Sequence, residues 1–324
     1  MKMKIWCNLS LGDAERQLLC DGLQGHELIE SQVGASSVLA AADHDESLYQ
    51  ADIALGQPTT EDVLTAPKLK FLQITSAGYT RYDTPAFRAG VRERNIIVAN
   101  SSSVYDLPCA EHLMSFMLAQ SRNLPAALAE NTCGNGTLEW NTLRAGCRPL
   151  AGQSLLILGY GAIGEMFVKL LAPFDMEVVA VRRSPTGHEL VRTVALDALP
   201  ELLGRVDHVV NILPDSAETL NFVDAKFLSL MKAGATFYNI GRGTTVNQID
   251  LADALRSNHL HSAWLDVTDP EPLPQSHPLR QLSNCYMTPH TAGGHAGESI
   301  SVIRHFLKNL AAFESGQALR NQIM

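Results

Sequence analysis

Residues 155–164 read Leu-Leu-Ile-Leu-Gly-Tyr-Gly-Ala-Ile-Gly, and Glu165–Ala172 continue as Glu-Met-Phe-Val-Lys-Leu-Leu-Ala. A buried-strand run, glycines spaced G-x-G-x-x-G, and then a helical pattern constrain this chain more than any other feature. Together they describe the first turn of a dinucleotide-binding βα unit. Gly159 permits the tight turn, Gly161 lets the backbone approach a pyrophosphate, and Gly164 lets helix and strand pack closely. Tyr160, Ala162 and Ile163 complete the loop. Unpaired amides at the helix start face the phosphates, and the helix dipole adds to the attraction.

The chain around this motif has 324 residues, more than one compact core usually holds, so two domains are expected. Short apolar runs alternate with helical patterns, which predicts an α/β fold of doubly wound parallel sheets. Before the motif, strands are predicted at Lys4–Leu9, Ser37–Ala41, Ala51–Leu55, Lys70–Thr75 and Ile96–Asn100. Helices are predicted at Asp13–Leu23, Thr60–Ala66 and Pro85–Ala89. A long helix follows, with Asp106 as its cap and Pro108 in its first turn. Thr132–Pro149 reads as a loop carrying Trp140. From the motif onwards, strands are predicted at Ser154–Leu158, Glu177–Val181, Asp207–Leu213, Thr236–Ile240 and Ser262–Val267, with a closing helix at Ser299–Glu314.

Bulk properties exclude several function classes. Hydrophobic residues make up 46% and charged residues 18%, which suits a packed globular protein and not a disordered one. The formal charge of -9 disfavours nucleic acid and anionic membranes as partners. The six cysteines include no C-x-x-C pair, so no zinc site and no redox motif is suggested, and no metal is expected. Scattered thiols, no signal-like leader and no run of 18 apolar residues read as a cytoplasmic protein without a membrane span.

The strand after the motif, Glu177–Val181, ends in Arg182-Arg183-Ser184, with no carboxylate at its tip. An acid there would hydrogen-bond the ribose hydroxyls of NAD, whereas guanidiniums offer a fork of donors to a 2′-phosphate, so NADP(H) is expected over NAD(H). Three further segments sit where strands should end: Phe-Tyr-Asn-Ile-Gly-Arg-Gly with Arg242, Trp-Leu-Asp-Val-Thr-Asp-Pro-Glu-Pro-Leu with Asp266 and Glu271, and Tyr-Met-Thr-Pro-His-Thr-Ala-Gly-Gly with His290. Behind a dinucleotide motif they supply a cation, an acid and a titratable base.

In this order, the motifs resemble the D-isomer-specific 2-hydroxyacid dehydrogenase family, from Leu-Lys-Phe-Leu-Gln-Ile-Thr-Ser-Ala-Gly to the closing helix. The resemblance implies two similar Rossmann-like domains with a cleft between them. Residues 1–102 and 293–324 would form a flavodoxin-like substrate domain, and residues 103–292 the dinucleotide-binding domain. It also implies roles. Arg242 would bind the substrate carboxylate and carbonyl, His290 would exchange the proton, and Glu271 would hydrogen-bond that histidine and favour its imidazolium form. Amides around Ser76, Ala77 and Gly78 would receive the carboxylate. Asp266 would hold the nicotinamide carboxamide, Ile240 and Gly241 would line the cofactor, and the turn after Leu213-Pro214 would line the adenine pocket.

The arginines look most like the NADPH-dependent glyoxylate and hydroxypyruvate reductases, which reduce small 2-keto acids. Tyr79, Arg81, Tyr105 and Trp140 are candidate pocket residues. Trp140 is also placed to reach across a homodimer interface formed by the cofactor domains. Two other activities occur on this fold: a dinucleotide-sensing corepressor-like binding protein and a phosphite dehydrogenase. Formate is disfavoured, because that branch lacks the Glu of the Glu–His pair and Glu271 is present.

Overall fold

The computed structural model describes residues 2–33, 43–133 and 140–324. The strand predicted at Ser37–Ala41 and part of the loop predicted at Thr132–Pro149 lie outside the described residues. In chain order the main elements begin with β1 (Lys4–Cys7), α1 (Asp13–Gly22), β2 (Glu27–Glu30), β3 (Ile53–Gly56), α2 (Thr60–Thr65), β4 (Phe71–Ile74), α3 (Pro85–Glu93), β5 (Ile97–Ala99) and α4 (Ser102–Ser121). They continue with α5 (Leu124–Cys133), α6 (Trp140–Ala145), β6 (Ser154–Leu158), α7 (Ala162–Leu171), β7 (Glu177–Val181), β8 (Arg192–Val194), α8 (Leu199–Leu203) and β9 (His208–Asn211). The last are α9 (Ala225–Leu230), β10 (Thr236–Asn239), α10 (Gln248–Arg256), β11 (Ser262–Leu265), β12 (Cys285–Met287) and α11 (Glu298–Glu314). No helix among the described residues is long and apolar enough to cross a membrane.

The chain divides into two compact units, Met1–Tyr105 with His295–Met324, and Asp106–Gly294. The boundaries expected from the sequence, 102/103 and 292/293, fall a few residues short of these. In the first unit, five parallel strands run in the order β2-β1-β3-β4-β5. The side chains of β1, β3, β4 and β5 are largely buried on both faces, as a parallel sheet covered by helices requires, while the edge strand β2 keeps Glu27 and Glu30 exposed. Trp6, Ala54, Leu72, Ile74 and Val98 face a cluster with Val63, Phe87 and Val91 of α2 and α3. Ile5, Cys7, Ile53, Leu55, Phe71 and Ala99 face the other, with Leu19 of α1 and Ile303, Phe306 and Leu310 of α11.

The second unit holds seven parallel strands in the order β12-β11-β10-β9-β6-β7-β8. One core cluster runs from Leu156 and Val179 through Val209 and Phe237 to Ala263 and Cys285. At the amino ends of these strands His208 is buried between Tyr238 (Nδ1 to Oη, 3.1 Å) and Gln153 (Nε2 to Oε1, 2.8 Å).

Two sequence expectations are corrected here. The long helix begins at Ser102, one turn before the expected cap at Asp106, and Pro108 lies inside it. Asn100 explains the earlier start: its Oδ1 accepts from the amide and hydroxyl of Ser102, capping the helix from outside. The supposed loop contains α6, and Trp140 is its first residue, 66% exposed, with the Arg144 guanidinium 4.2 Å above its ring.

Candidate active site

The glycine turn follows β6 directly. Gly159 has φ +91°, and a Cβ there would meet Ile212 O at 3.2 Å. Gly164 lies within α7, where a Cβ would press on Gly159 O at 3.1 Å. Gly161 faces open space. Gly161 and Ala162 are exposed, and Tyr160 and Ile163 are half-buried. The turn therefore presents backbone amides to a volume that a diphosphate can enter, and the residues present fit a dinucleotide.

At the tip of β7, Arg183 and Ser184 are exposed. Arg182 reaches Glu189 (Nη1 to Oε1, 3.1 Å), an acid the sequence reading did not single out. Glu189 is fixed by the amides of Thr186 and Gly187 and the Thr186 hydroxyl, all within 2.9 Å. These bonds, the Thr186 amide foremost, lower its pKa to about 2. Tyr160 Oη accepts from the Leu190 amide at 3.2 Å and closes the same loop onto the glycine turn.

Beyond β9 and β10, two asparagines in register shape the loops above them. Asn211 Nδ2 donates to Asn239 Oδ1 (3.1 Å) and Thr245 Oγ1 (2.7 Å), and Asn211 Oδ1 accepts from the Leu213 amide. Asn239 accepts from the Gly241 amide and donates to Arg242 O, which Thr245 Oγ1 also caps at 2.6 Å. Both loops open with Asn-Ile in the sequence, a repeated signal that could have marked these supports. Ile240 and Gly241 are buried, Leu213 is half-buried, and Pro214 is exposed with its carbonyl held by Thr219. Arg242 is half-buried, and its Nη1 donates back to Gly241 O at 2.7 Å.

His290 and Glu271 meet (Nδ1 to Oε2, 2.8 Å), and the other Glu271 oxygen accepts from the Thr268 amide at 3.1 Å. Burial pushes the Glu271 carboxyl up, but His290, the Thr268 amide and the Arg242 charge together outweigh it, and the net pKa lies below the ordinary value. Nε2 of His290 meets no hydrogen-bond partner among the described residues. The residue sits at φ +52°, a left-handed conformation that costs a non-glycine residue about 1–2 kcal/mol. Asp266 holds it there. The Asp266 carbonyl accepts the His290 amide, while its carboxylate, only 2% exposed, accepts from Thr288 Oγ1, Thr291 N and Ala292 N at 2.6–2.9 Å. His112 faces the same carboxylate at 3.6 Å and Thr288 Oγ1 at 3.1 Å; it escaped the sequence reading. Burial lowers its pKa and keeps it neutral.

In the first unit, Thr75–Gly78 follow β4. Every carbonyl of this turn is taken: Thr75 O by Tyr105 Oη (2.8 Å), Ser76 O by the Ser101 amide (3.0 Å), Ala77 O by Asn100 Nδ2 (2.7 Å) and Gly78 O by Ser76 Oγ (2.6 Å). The amides of Ser76, Ala77 and Gly78 donate to no acceptor among the described residues. Three successive unclaimed N–H groups form an anion-binding backbone. Tyr79 and Arg81 are half-buried beside them, and Arg81 contacts Gln57 Oε1 at 3.5 Å. Tyr105 is buried and braces the turn from behind.

The family model for the NAD-binding domain of D-isomer-specific 2-hydroxyacid dehydrogenases matches residues 114–292. This chain belongs to that family. The dehydrogenase is 34% identical to the human glyoxylate reductase/hydroxypyruvate reductase over 72% of its own length and 70% of that protein. It is 31% identical to an uncharacterised protein from the proB 3′ region of Corynebacterium melassecola, over 89% of this chain and 94% of the other. Two solved structures of family members superimpose with a TM-score of 0.81. One is from Aeromonas salmonicida (26% identity, 100% and 99% of the chains covered) and one from Xanthobacter autotrophicus in complex with NADPH and MES (25%, 100% and 98%). The expected fold, two Rossmann-like parallel sheets with helices, is the fold of these dehydrogenases.

Proposed function

We propose that this dehydrogenase reduces a small 2-keto acid of the glyoxylate or hydroxypyruvate kind, with NADP(H) preferred over NAD(H). The observation that carries the reading is the His290–Glu271 contact at 2.8 Å, with the opposite ring nitrogen left unpartnered. The bound dinucleotide supplies the hydride to the carbonyl carbon. His290 Nε2 gives its proton to the carbonyl oxygen, and Glu271 stabilises the imidazolium through Nδ1. Arg242 binds the substrate carboxylate and balances the charge developing on the oxygen. The unclaimed amides of Ser76, Ala77 and Gly78 are suited to receive a carboxylate. Asp266 sets the turn that aims His290, and the lone pair left on its Oδ2 is the one available to the nicotinamide carboxamide. In the oxidising direction His290 is the base.

The NADP(H) preference is supported by Arg182, Arg183 and Ser184 at the tip of β7, with Glu189 ordering the loop that presents them. Homodimer formation through the cofactor domain is supported by Leu107, Leu124, Leu128 and Trp140, all at least 42% exposed along α4–α6. The free thiols of Cys7, Cys109 and Cys285 suit a reducing, cytoplasmic setting. Parallel assays with NADPH and NADH test the reading. NADPH is expected to be the faster donor, and Arg183→Ala should raise its KM roughly 10-fold or more while leaving NADH little changed, the value of a hydrogen bond to a charged group. Faster NADH oxidation in the wild type would refute the arginine argument and leave the dehydrogenase reading in place.

A further inference from the structure

The brace behind the amide turn contains one proton too few. Tyr105 Oη lies 2.8 Å from Thr75 O and 2.9 Å from Glu298 Oε1. A phenol has one proton, whereas a carbonyl and an ionised carboxylate only accept. Tyr105 can therefore serve one of them at a time. Neither competitor has an easy substitute. Thr75 O meets no other donor among the described residues. Glu298, half-buried at the first position of α11, forms no salt bridge among the described residues. The two partners also flank the points where the chain leaves this unit, after Tyr105, and re-enters it, at His295.

The neighbouring braces are not divided in this way. Asn100 Nδ2 serves Ala77 O while Asn100 Oδ1 caps Ser102. The Asn100 carbonyl is itself held by Gln73 Nε2 (2.8 Å) and His305 Nε2 (3.1 Å). Burial keeps His305 neutral, so the nitrogen facing that carbonyl carries the proton. The Ser76 carbonyl is fixed by a backbone amide. The Thr75 carbonyl alone depends on a donor with a second acceptor at the same distance.

We propose that Tyr105 and Glu298 form a positioning switch for the turn. The phenol proton goes either to Thr75 O, which fixes the peptide preceding Ser76 and aims its amide outward, or to Glu298, which releases that peptide. The geometry stands alone; the effect on catalysis rests on the proposed role of the turn as the carboxylate cradle.

The full-length protein and two variants test it, by the amide resonances of Ser76, Ala77 and Gly78 and by steady-state kinetics with NADPH and glyoxylate. Tyr105→Phe removes the proton, shifts the resonances and raises KM about 2- to 10-fold, the range for one net hydrogen bond, with kcat changed less. Glu298→Gln offers a side-chain amide to the phenol oxygen and leaves the phenol proton to Thr75. It moves the resonances the opposite way and lowers KM by up to about 3-fold. Loss of packing alone would not give opposite signs. Resonances unmoved in both variants, or moved the same way with KM raised in both, overturn the switch. Opposite resonance shifts in a protein that turns over no 2-keto acid would uphold the switch and refute the proposed function.

Discussion

His290 and the Ser76–Gly78 turn both sit just past the carboxyl end of a parallel strand, β12 and β4 respectively, yet they are built differently. In the second unit the groups proposed to act are side chains. An imidazole paired with a carboxylate stands on a turn held by a buried aspartate, which takes three hydrogen bonds from that turn. In the first unit the groups proposed to act are backbone amides, and the side chains around them occupy the carbonyls. Side-chain chemistry concentrates its effect in a few residues, whereas a backbone cradle spreads it over several donors. Mutations should therefore be severe in the second unit and mild in the first.

The largest expected effect tests that contrast directly. His290→Ala should lower turnover roughly 10²–10⁴-fold, the usual contribution of a positioned proton donor, with the NADPH Kd from a fluorescence titration unchanged. Next comes Asp266→Asn. Its amide cannot accept from all three donors at 2% exposure, so unfolding titrations should show a loss of about 1.5–3 kcal/mol and kcat should fall as the His290 turn loosens. A smaller effect is expected from Ser76→Ala, which removes the donor to Gly78 O and should raise KM about 2- to 10-fold with kcat nearly kept. If Ser76→Ala reduced turnover as far as His290→Ala, the contrast between the two units would be wrong.

The smallest effect separates stability from catalysis. Burial lowers the His208 pKa to about 4. The folded state binds this proton less tightly than the unfolded state, whose pKa is near 6.5. Its contribution is therefore complete above about 6.5 and is lost as pH falls towards about 4, by at most roughly 1.4 kcal/mol per pH unit. Urea titrations across that range should show the decline in the wild type and a shallower one in His208→Gln. Equal slopes would mean that His208 is not the group responsible.

The same contrast explains what could be read from the sequence. Ser154–Leu158 and Glu177–Val181 are legible to the residue, because inner strands bury most of their side chains and announce themselves as apolar runs. The strands that escaped, Glu27–Glu30, Arg192–Val194 and Cys285–Met287, all lie at sheet edges, where three or four residues bury too little to leave a pattern. Pro108 pointed to a helix start one turn too late, because a cap supplied by Asn100 lies outside any local rule. In the candidate site, Arg242, Glu271 and His290 were legible as chemistry-bearing types at strand ends. Glu189 and His112 were not, since a loop acid and a helix histidine acquire meaning only from the groups they meet. The amide turn was found through family resemblance. Its supports, Asn100, Ser101 and Tyr105, lie more than 20 residues away in sequence and carry no motif.

The most direct measurement is the initial rate of NADPH oxidation by the purified wild-type protein with glyoxylate and with hydroxypyruvate. The account predicts turnover at enzyme-like rates, roughly 1–10³ s⁻¹. Tight NADPH binding with no oxidation by either acid, or by other small 2-keto acids, would contradict it.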